Sequence, residues 1–258
     1  MKRLVLVLSI SMASFSSLAQ SAFEGFYAGF NTGGSYGQFK TNTTTSFLPS
    51  AYSVANGTYW ANTTNPGNVS ASGSGTQTST QPLGGLLVGY NKHFSGIGIV
   101  GIEADFSYIG LNSSQTKATE YPAFLGYAPQ SKVSVRADTL GTLRLKYGFS
   151  VEKNTMAYIT AGGAYTNISS DLSFSDGVVS LTNNQTKAQF GYALGAGGEY
   201  MFSKKLSLKL EYLYVSFGNI TNTSRNLSGD GNSFPNQPFT TSTNLNISTL
   251  RVGLNKYC

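Results

Sequence analysis

The stretch Leu206–Phe217, LSLKLEYLYVSF, alternates with period two. Leu206, Leu208, Leu210, Tyr212 and Tyr214 share one face; Ser207, Lys209 and Glu211 share the other, which turns apolar at Leu213, Val215 and Phe217. Successive side chains of a strand point to opposite sides of a sheet, so the pattern predicts a strand with one apolar and one charged face. The alternation recurs along the chain and predicts eight strands, near 25–39, 83–93, 98–111, 132–149, 155–170, 186–202, 206–218 and 245–257. Tight turns at Ser95-Gly96-Ile97, Val151-Glu152-Lys153-Asn154 and Ser203-Lys204-Lys205 alternate with long connections near 40–82, 112–131, 171–185 and 219–244, rich in Thr, Ser, Asn and Gly.

Two architectures accommodate eight alternating strands. A soluble sandwich or lipocalin-like barrel turns its large residues inward and its charges to water. A membrane barrel inverts this, with the apolar face on lipid. The faces here favour the second. Val100, Ile102, Ala104, Phe106 and Tyr108 oppose Glu103, Asp105 and Ser107; Leu143, Leu145, Tyr147 and Phe149 oppose Arg136, Asp138, Arg144 and Lys146. In 186–202 the aromatic face opposes small residues, Gly191, Ala193, Gly195 and Gly197, expected to leave room for long charged side chains. The inferred inner face holds Arg136, Arg144, Lys146, Lys209 and Arg251 against Glu103, Asp105, Asp138, Glu199 and Glu211. That balance suits an interior ion-pair network, because each Arg or Lys turned to lipid at the bilayer midplane would cost about 2–4 kcal/mol. The fold expected is all-β: an eight-stranded antiparallel up-and-down transmembrane β-barrel with four long external loops and short periplasmic turns. Aromatics at strand ends (Phe26, Tyr27, Tyr147, Phe149, Tyr200, Phe202) fit interfacial girdles.

Residues 1–19 read as a cleaved signal peptide: Lys2 and Arg3, an apolar run from Leu4 to Phe15, and Ser17-Leu18-Ala19 before Gln20. Residues 20–258 form the barrel domain. Removing the leader takes Lys2 and Arg3 with it, lowers the formal charge from +6 to +4 and leaves 239 residues, a mild balance that does not point to nucleic acid. Charged residues are 11% of the chain, against about 25% in ordinary soluble domains. The single Cys, Cys258, excludes an intramolecular disulfide framework.

Phe26-Tyr27-Ala28-Gly29 with Gly33-Gly34-Ser35-Tyr36-Gly37, Gly89-Tyr90-Asn91, Gly141-Thr142-Leu143-Arg144, Gly197-Gly198-Glu199-Tyr200, Leu208-Lys209-Leu210-Glu211-Tyr212 and Leu250-Arg251-Val252-Gly253-Leu254-Asn255 occur in that order. Together they resemble the small outer-membrane β-barrel surface antigens of Gram-negative bacteria, the "porin family" barrels that share the architecture of the OmpA membrane domain. The resemblance implies location in the outer membrane, contact with its lipid and lipopolysaccharide, and insertion by the barrel-assembly machinery. It also implies a terminal outward aromatic. Here Leu250, Val252 and Leu254 keep the phase, Lys256 and Cys258 follow, and Tyr257 is out of phase, so a bulge at the strand end or a degenerate signal is expected.

No catalytic, cofactor or metal site is expected. The one histidine, His93, has Asn91, Lys92 and Ser95 near it in sequence but no carboxylate to orient it. No phosphate loop or dinucleotide fingerprint occurs. An eight-stranded barrel is filled by its own side chains, so a charge-plugged lumen and a structural or surface-interacting role are expected. The alternatives are a low-conductance porin for small solutes and, less favoured, a lipid-modifying enzyme. Tyr52, Tyr59, Trp60, Tyr121, Phe124 and Tyr127 sit in the first two long connections, where aromatics in polar loops suit recognition of a host protein or glycan.

Overall fold

The computed structural model describes residues 23–45, 64–118, 130–175, 180–224, 227–229, 232–234 and 239–258. Its strands are β1 (Gly25–Thr45), β2 (Gly75–Phe94), β3 (Gly98–Ala118), β4 (Gln130–Glu152), β5 (Thr155–Ser175), β6 (Ser180–Ser203), β7 (Leu206–Ser224), the short β8 (Leu227–Gly229) and β9 (Asn232–Phe234), and β10 (Phe239–Tyr257). Eight of them close a ring in the order β5-β4-β3-β2-β1-β10-β7-β6, sealed by β5–β6, and every pairing is antiparallel. The expected eight-stranded up-and-down barrel is therefore present. At the tight β2–β3 turn Gly96 has φ +82°, a left-handed conformation that glycine adopts without a Cβ clash. The 1–19 leader lies outside the described residues.

The strands run farther toward the long-connection end than the sequence pattern indicates. Thr76-Gln77-Thr78-Ser79-Thr80 reads as loop by composition but pairs with β1, and much of the stretch 171–185 belongs to β5 and β6. Paired Thr and Ser are accepted readily on a pleated surface, and composition alone does not reveal the pairing. A helix, α1 (Thr64–Ser72), follows β1 and was not signalled by the sequence. Its composition is a poor helix former, with Pro66 in the first turn and Gly67 beside it. Tertiary contacts hold it instead: Val69 is buried in the upper core, Ser72 Oγ lies 2.7 Å from Ser131 Oγ of β4, and Ser70 Oγ accepts from the Thr45 N–H at 3.0 Å.

Polarity inverts along each strand. In the short-turn half, Phe26, Leu86, Ile102, Leu143, Ile159, Phe190, Leu210 and Leu250 face outward and charges face in. From Val100 to Tyr108 in β3 the outward apolar run rises ~20 Å, and from Phe190 to Phe202 in β6 ~30 Å, at about 3.3 Å per residue and ~40° of tilt. These values bracket the ~25 Å apolar band of a membrane barrel. Above the band the outer face is Thr, Ser, Asn and charged residues, while Phe39, Leu111, Val133, Val135, Phe174, Phe217, Leu245 and Ile247 fill the interior. Each such side chain contributes about 1.5–3 kcal/mol on burial, which holds this upper barrel together without lipid.

The upper barrel is also split. β2 and β3 pair only as far as Gly84↔Tyr108, and β6 and β7 only as far as Gly191↔Phe217. Beyond those points one sheet of β2-β1-β10-β7 faces another of β3-β4-β5-β6 across the apolar core.

Candidate functional site

The lumen in the lower half carries the chemistry. Three cation–carboxylate pairs lie directly opposite in register: Glu103↔Arg144 across β3–β4, Glu199↔Lys209 across β6–β7, and Glu211↔Arg251 across β7–β10. In a barrel these side chains meet at the axis and exchange partners. Arg144 Nη2 donates to Glu103 at 2.6 Å and to Asp105 at 2.7 Å, and Nη1 lies 3.0 Å from Glu211. Lys209 Nζ reaches Glu103 at 2.6 Å and Glu211 at 3.1 Å. Lys146 Nζ reaches Glu199 at 3.2 Å, and Arg251 Nη1 reaches Asp105 at 3.0 Å. All eight residues are buried. Four cations face four carboxylates, so no net charge is stranded in a water-poor interior.

Neutral side chains complete the layer. Tyr27 Oη donates to Glu103 at 2.8 Å, Tyr158 Oη to Glu211 at 3.0 Å and Tyr257 Oη to Glu199 at 2.8 Å. Ser207 Oγ at 2.5 Å and Asn255 Nδ2 at 3.0 Å also donate to Glu199. Lys146 Nζ sits 4.9 Å and 4.6 Å from the ring centroids of Tyr27 and Tyr158, within cation–π range. The tyrosines were not assigned to the site from sequence. Their phase signals it: Tyr27 is four residues from inward Asn31, and Tyr257 is two from inward Asn255.

Glycines make space for these rings rather than for charged side chains, contrary to expectation. A Cβ at Gly89 would collide with the Tyr27 ring, and one at Gly197 would lie 2.5 Å from Tyr158 Oη; Gly191 and Gly195 accommodate Phe217 and Leu213. In the strand expected near 155–170, Tyr158 turns inward and Ile159 outward.

Arg136 and Asp138 correct the expected inner face. They pair with each other at 2.7 Å on the exposed outer surface of β4, away from the network. The cause is a register irregularity between Ala137 and Gly141, where β4 carries one residue more than β5 opposite. One extra residue reverses the facing of everything beyond it, so Val133, Val135 and Ala137 point inward while Arg136 points out. A cation and an anion leave together, so the interior stays balanced.

Two apolar layers enclose the charges. Above is the large cluster capped by Val69 of α1; below are Phe23, Tyr27, Leu87, Ile99, Met156, Tyr158, Met201 and Tyr257. At the chain end the β1–β10 register continues unbroken to Tyr27↔Tyr257. The expected bulge is absent from this described segment: Tyr257 points inward, and Lys256 and Cys258 face out. His93, at the end of β2, borders a shallow hollow with Phe94, Ile97, Ile99, Phe149 and Ser150, whose described lining includes no carboxylate. Among the described residues no group of three His, Cys, Asp or Glu is arranged to hold a metal ion. Tyr52, Tyr59, Trp60, Tyr121, Phe124 and Tyr127 lie outside the described residues.

The family model described as "Outer membrane protein beta-barrel domain" matches residues 5–254. Over 188 residues the chain is 30% identical to the 31 kDa outer-membrane immunogenic protein of Brucella melitensis, covering 73% of this chain and 71% of that one, and it matches the Brucella suis protein of the same name to the same extent. Among solved structures, the outer membrane protease OmpT of Escherichia coli aligns at 11% identity and TM-score 0.47, covering 93% of this chain and 99% of its own. OprG of Pseudomonas aeruginosa aligns at 12% identity and TM-score 0.46, covering 92% and 99%.

Proposed function

We propose, from the premise that this chain belongs to the outer membrane protein beta-barrel domain family, that it is a sealed barrel with a structural and surface-interacting role. Its place is the outer membrane of a Gram-negative bacterium, and its relatives include an outer-membrane immunogenic protein. The observation that carries the finer reading is the lumen: eight mutually paired charges lie between two apolar layers. A barrel of eight strands has room for such a filling and little else.

The outward apolar band contacts membrane lipid, with lipopolysaccharide at its external edge, and the barrel-assembly machinery inserts the chain. The upper barrel and its connections, including the segments bearing Tyr59, Trp60 and Tyr127, meet the environment or a host protein or glycan. The word "immunogenic" in the Brucella relative's name supports an exposed external surface. Two measurements test this. Purified protein in planar bilayers is expected to give no steady conductance; a sustained, sizeable single-channel current would instead make it a small-solute porin. Antibodies raised against residues 119–129 are expected to label intact cells, and labelling only after permeabilisation refutes external display.

A further inference from the structure

We propose that the periplasmic rim, from the β4–β5 turn through the β6–β7 turn to the end of β10, holds the headgroup of an anionic phospholipid of the periplasmic leaflet, such as phosphatidylglycerol. This rests on the reading that the outward apolar band contacts lipid, and it names the lipid class at the inner margin of that band.

Backbone hydrogen bonds bring the pieces of the rim together. The Met201 N–H donates to the Asn154 carbonyl at 2.8 Å, joining the β4–β5 turn to the foot of β6. The Tyr257 N–H donates to the Lys205 carbonyl at 2.8 Å, and Lys256 pairs in register with Leu206, joining the β6–β7 turn to β10. Lys153, Lys204, Lys205 and Lys256 therefore lie on one arc, and all four are exposed. Glu152 is the carboxylate side chain of the arc. Among the described residues no carboxylate, that of Cys258 included, lies within 4 Å of these four ammonium groups. Lys92, elsewhere on the rim, differs: its Nζ is 5.4 Å from the Phe94 ring centroid.

The position of the arc selects a lipid. Lys256 continues the outward row of Leu250, Val252 and Leu254, one outward place past the apolar band, ~7 Å beyond Leu254 at about 3.3 Å per residue. Tyr200 and Phe202, half exposed on β6, hold the same margin as interfacial aromatics. An open hollow of about 550 Å³ lies between the two turns, bordered by Asn154, Met201, Phe202, Ser203 and Lys204. Its border supplies an ammonium, a hydroxyl and a carboxamide, the donors a phosphodiester accepts, beside an aromatic ring where the acyl region begins. Each lysine near an anionic membrane surface strengthens attachment about fivefold. A zwitterionic headgroup carries no net charge and lacks that gain.

The single cysteine serves the test. Cys258 is exposed, two residues past Lys256, and takes a fluorescent thiol label in the full-length protein reconstituted in phosphatidylcholine vesicles. Phospholipids carrying a nitroxide high on the acyl chain then quench it. The mole fraction that halves the fluorescence is expected to be about fivefold lower for phosphatidylglycerol than for phosphatidylcholine. Lys204→Gln/Lys205→Gln/Lys256→Gln should make the two lipids equal, whereas the corresponding arginine substitutions should keep the preference. Salt at ~1 M, with a Debye length of about 3 Å, should erase most of it in the wild type, and this arm decides if the glutamine variant fails the heat-modifiable mobility check. Equal quenching by the two lipids, or a preference that survives the glutamine substitutions or high salt, overturns the proposal. Lysine-dependent sedimentation with purified peptidoglycan, without a lipid preference, assigns the arc to the cell wall and also overturns it. Quenching by neither lipid refutes the lipid-facing reading itself, which equal quenching leaves standing.

Discussion

Arg144 is the residue whose loss the lumen should feel most. It touches three carboxylates, Glu103, Asp105 and Glu211, and is 1% exposed. Arg144→Met leaves four buried carboxylates facing three cations. Breaking a buried pair by removing one partner typically costs 3–5 kcal/mol. Asp105 keeps Arg251 at 3.0 Å and Glu211 keeps Lys209 at 3.1 Å, so a loss near the lower end, about 3 kcal/mol, is expected. Removing Glu103 as well restores balance, because three intact pairs then remain: Lys146–Glu199, Lys209–Glu211 and Arg251–Asp105. The double variant Arg144→Met/Glu103→Gln should therefore be more stable than the sum of the single effects by about 2–3 kcal/mol, the upper range for groups in one network. The assay is urea unfolding of detergent-folded protein, followed by the heat-modifiable gel shift. With a slope of roughly 1–3 kcal/mol per molar urea, the single variant should move the midpoint by about 1–3 M. A midpoint within experimental scatter of wild type, or strict additivity in the double variant, would falsify the claim that the network is a coupled unit.

Two smaller perturbations check other parts of the architecture. Arg136→Ala should leave the unfolding midpoint unmoved, since its pair with Asp138 is exposed; a loss comparable to that of Arg144→Met would return it to the interior. Gly89→Ala should cost about 1–3 kcal/mol by driving a methyl into the Tyr27 ring, and Tyr27→Leu in the same chain should recover part of it; no cost would mean that Tyr27 packs elsewhere.

The lower barrel was readable from the sequence because its alternation runs without interruption. Between Glu103 and Ser107, and between Lys209 and Glu211, every second residue reports its face correctly, so the membrane orientation and eight of the ten proposed charges follow from phase alone. The upper barrel was less readable. Its strands are Thr- and Ser-rich and resemble loops until their partners are known, and α1 exists through Val69, Ser70 and Ser72 contacting the barrel rather than through helix propensity. The assignment of Arg136 and Asp138 failed at one extra residue in β4, a feature visible only against β5.

The sequence by itself determined the strand count, the inverted polarity and the neutral pairing of interior charges, because period-two alternation is a local property and lipid penalises charge wherever it is exposed. Which cation meets which carboxylate, where phase reverses and where the β6–β7 ladder ends were decided only by tertiary structure. Those depend on register between segments distant in the chain, and a one-residue difference in register exchanges inside for outside.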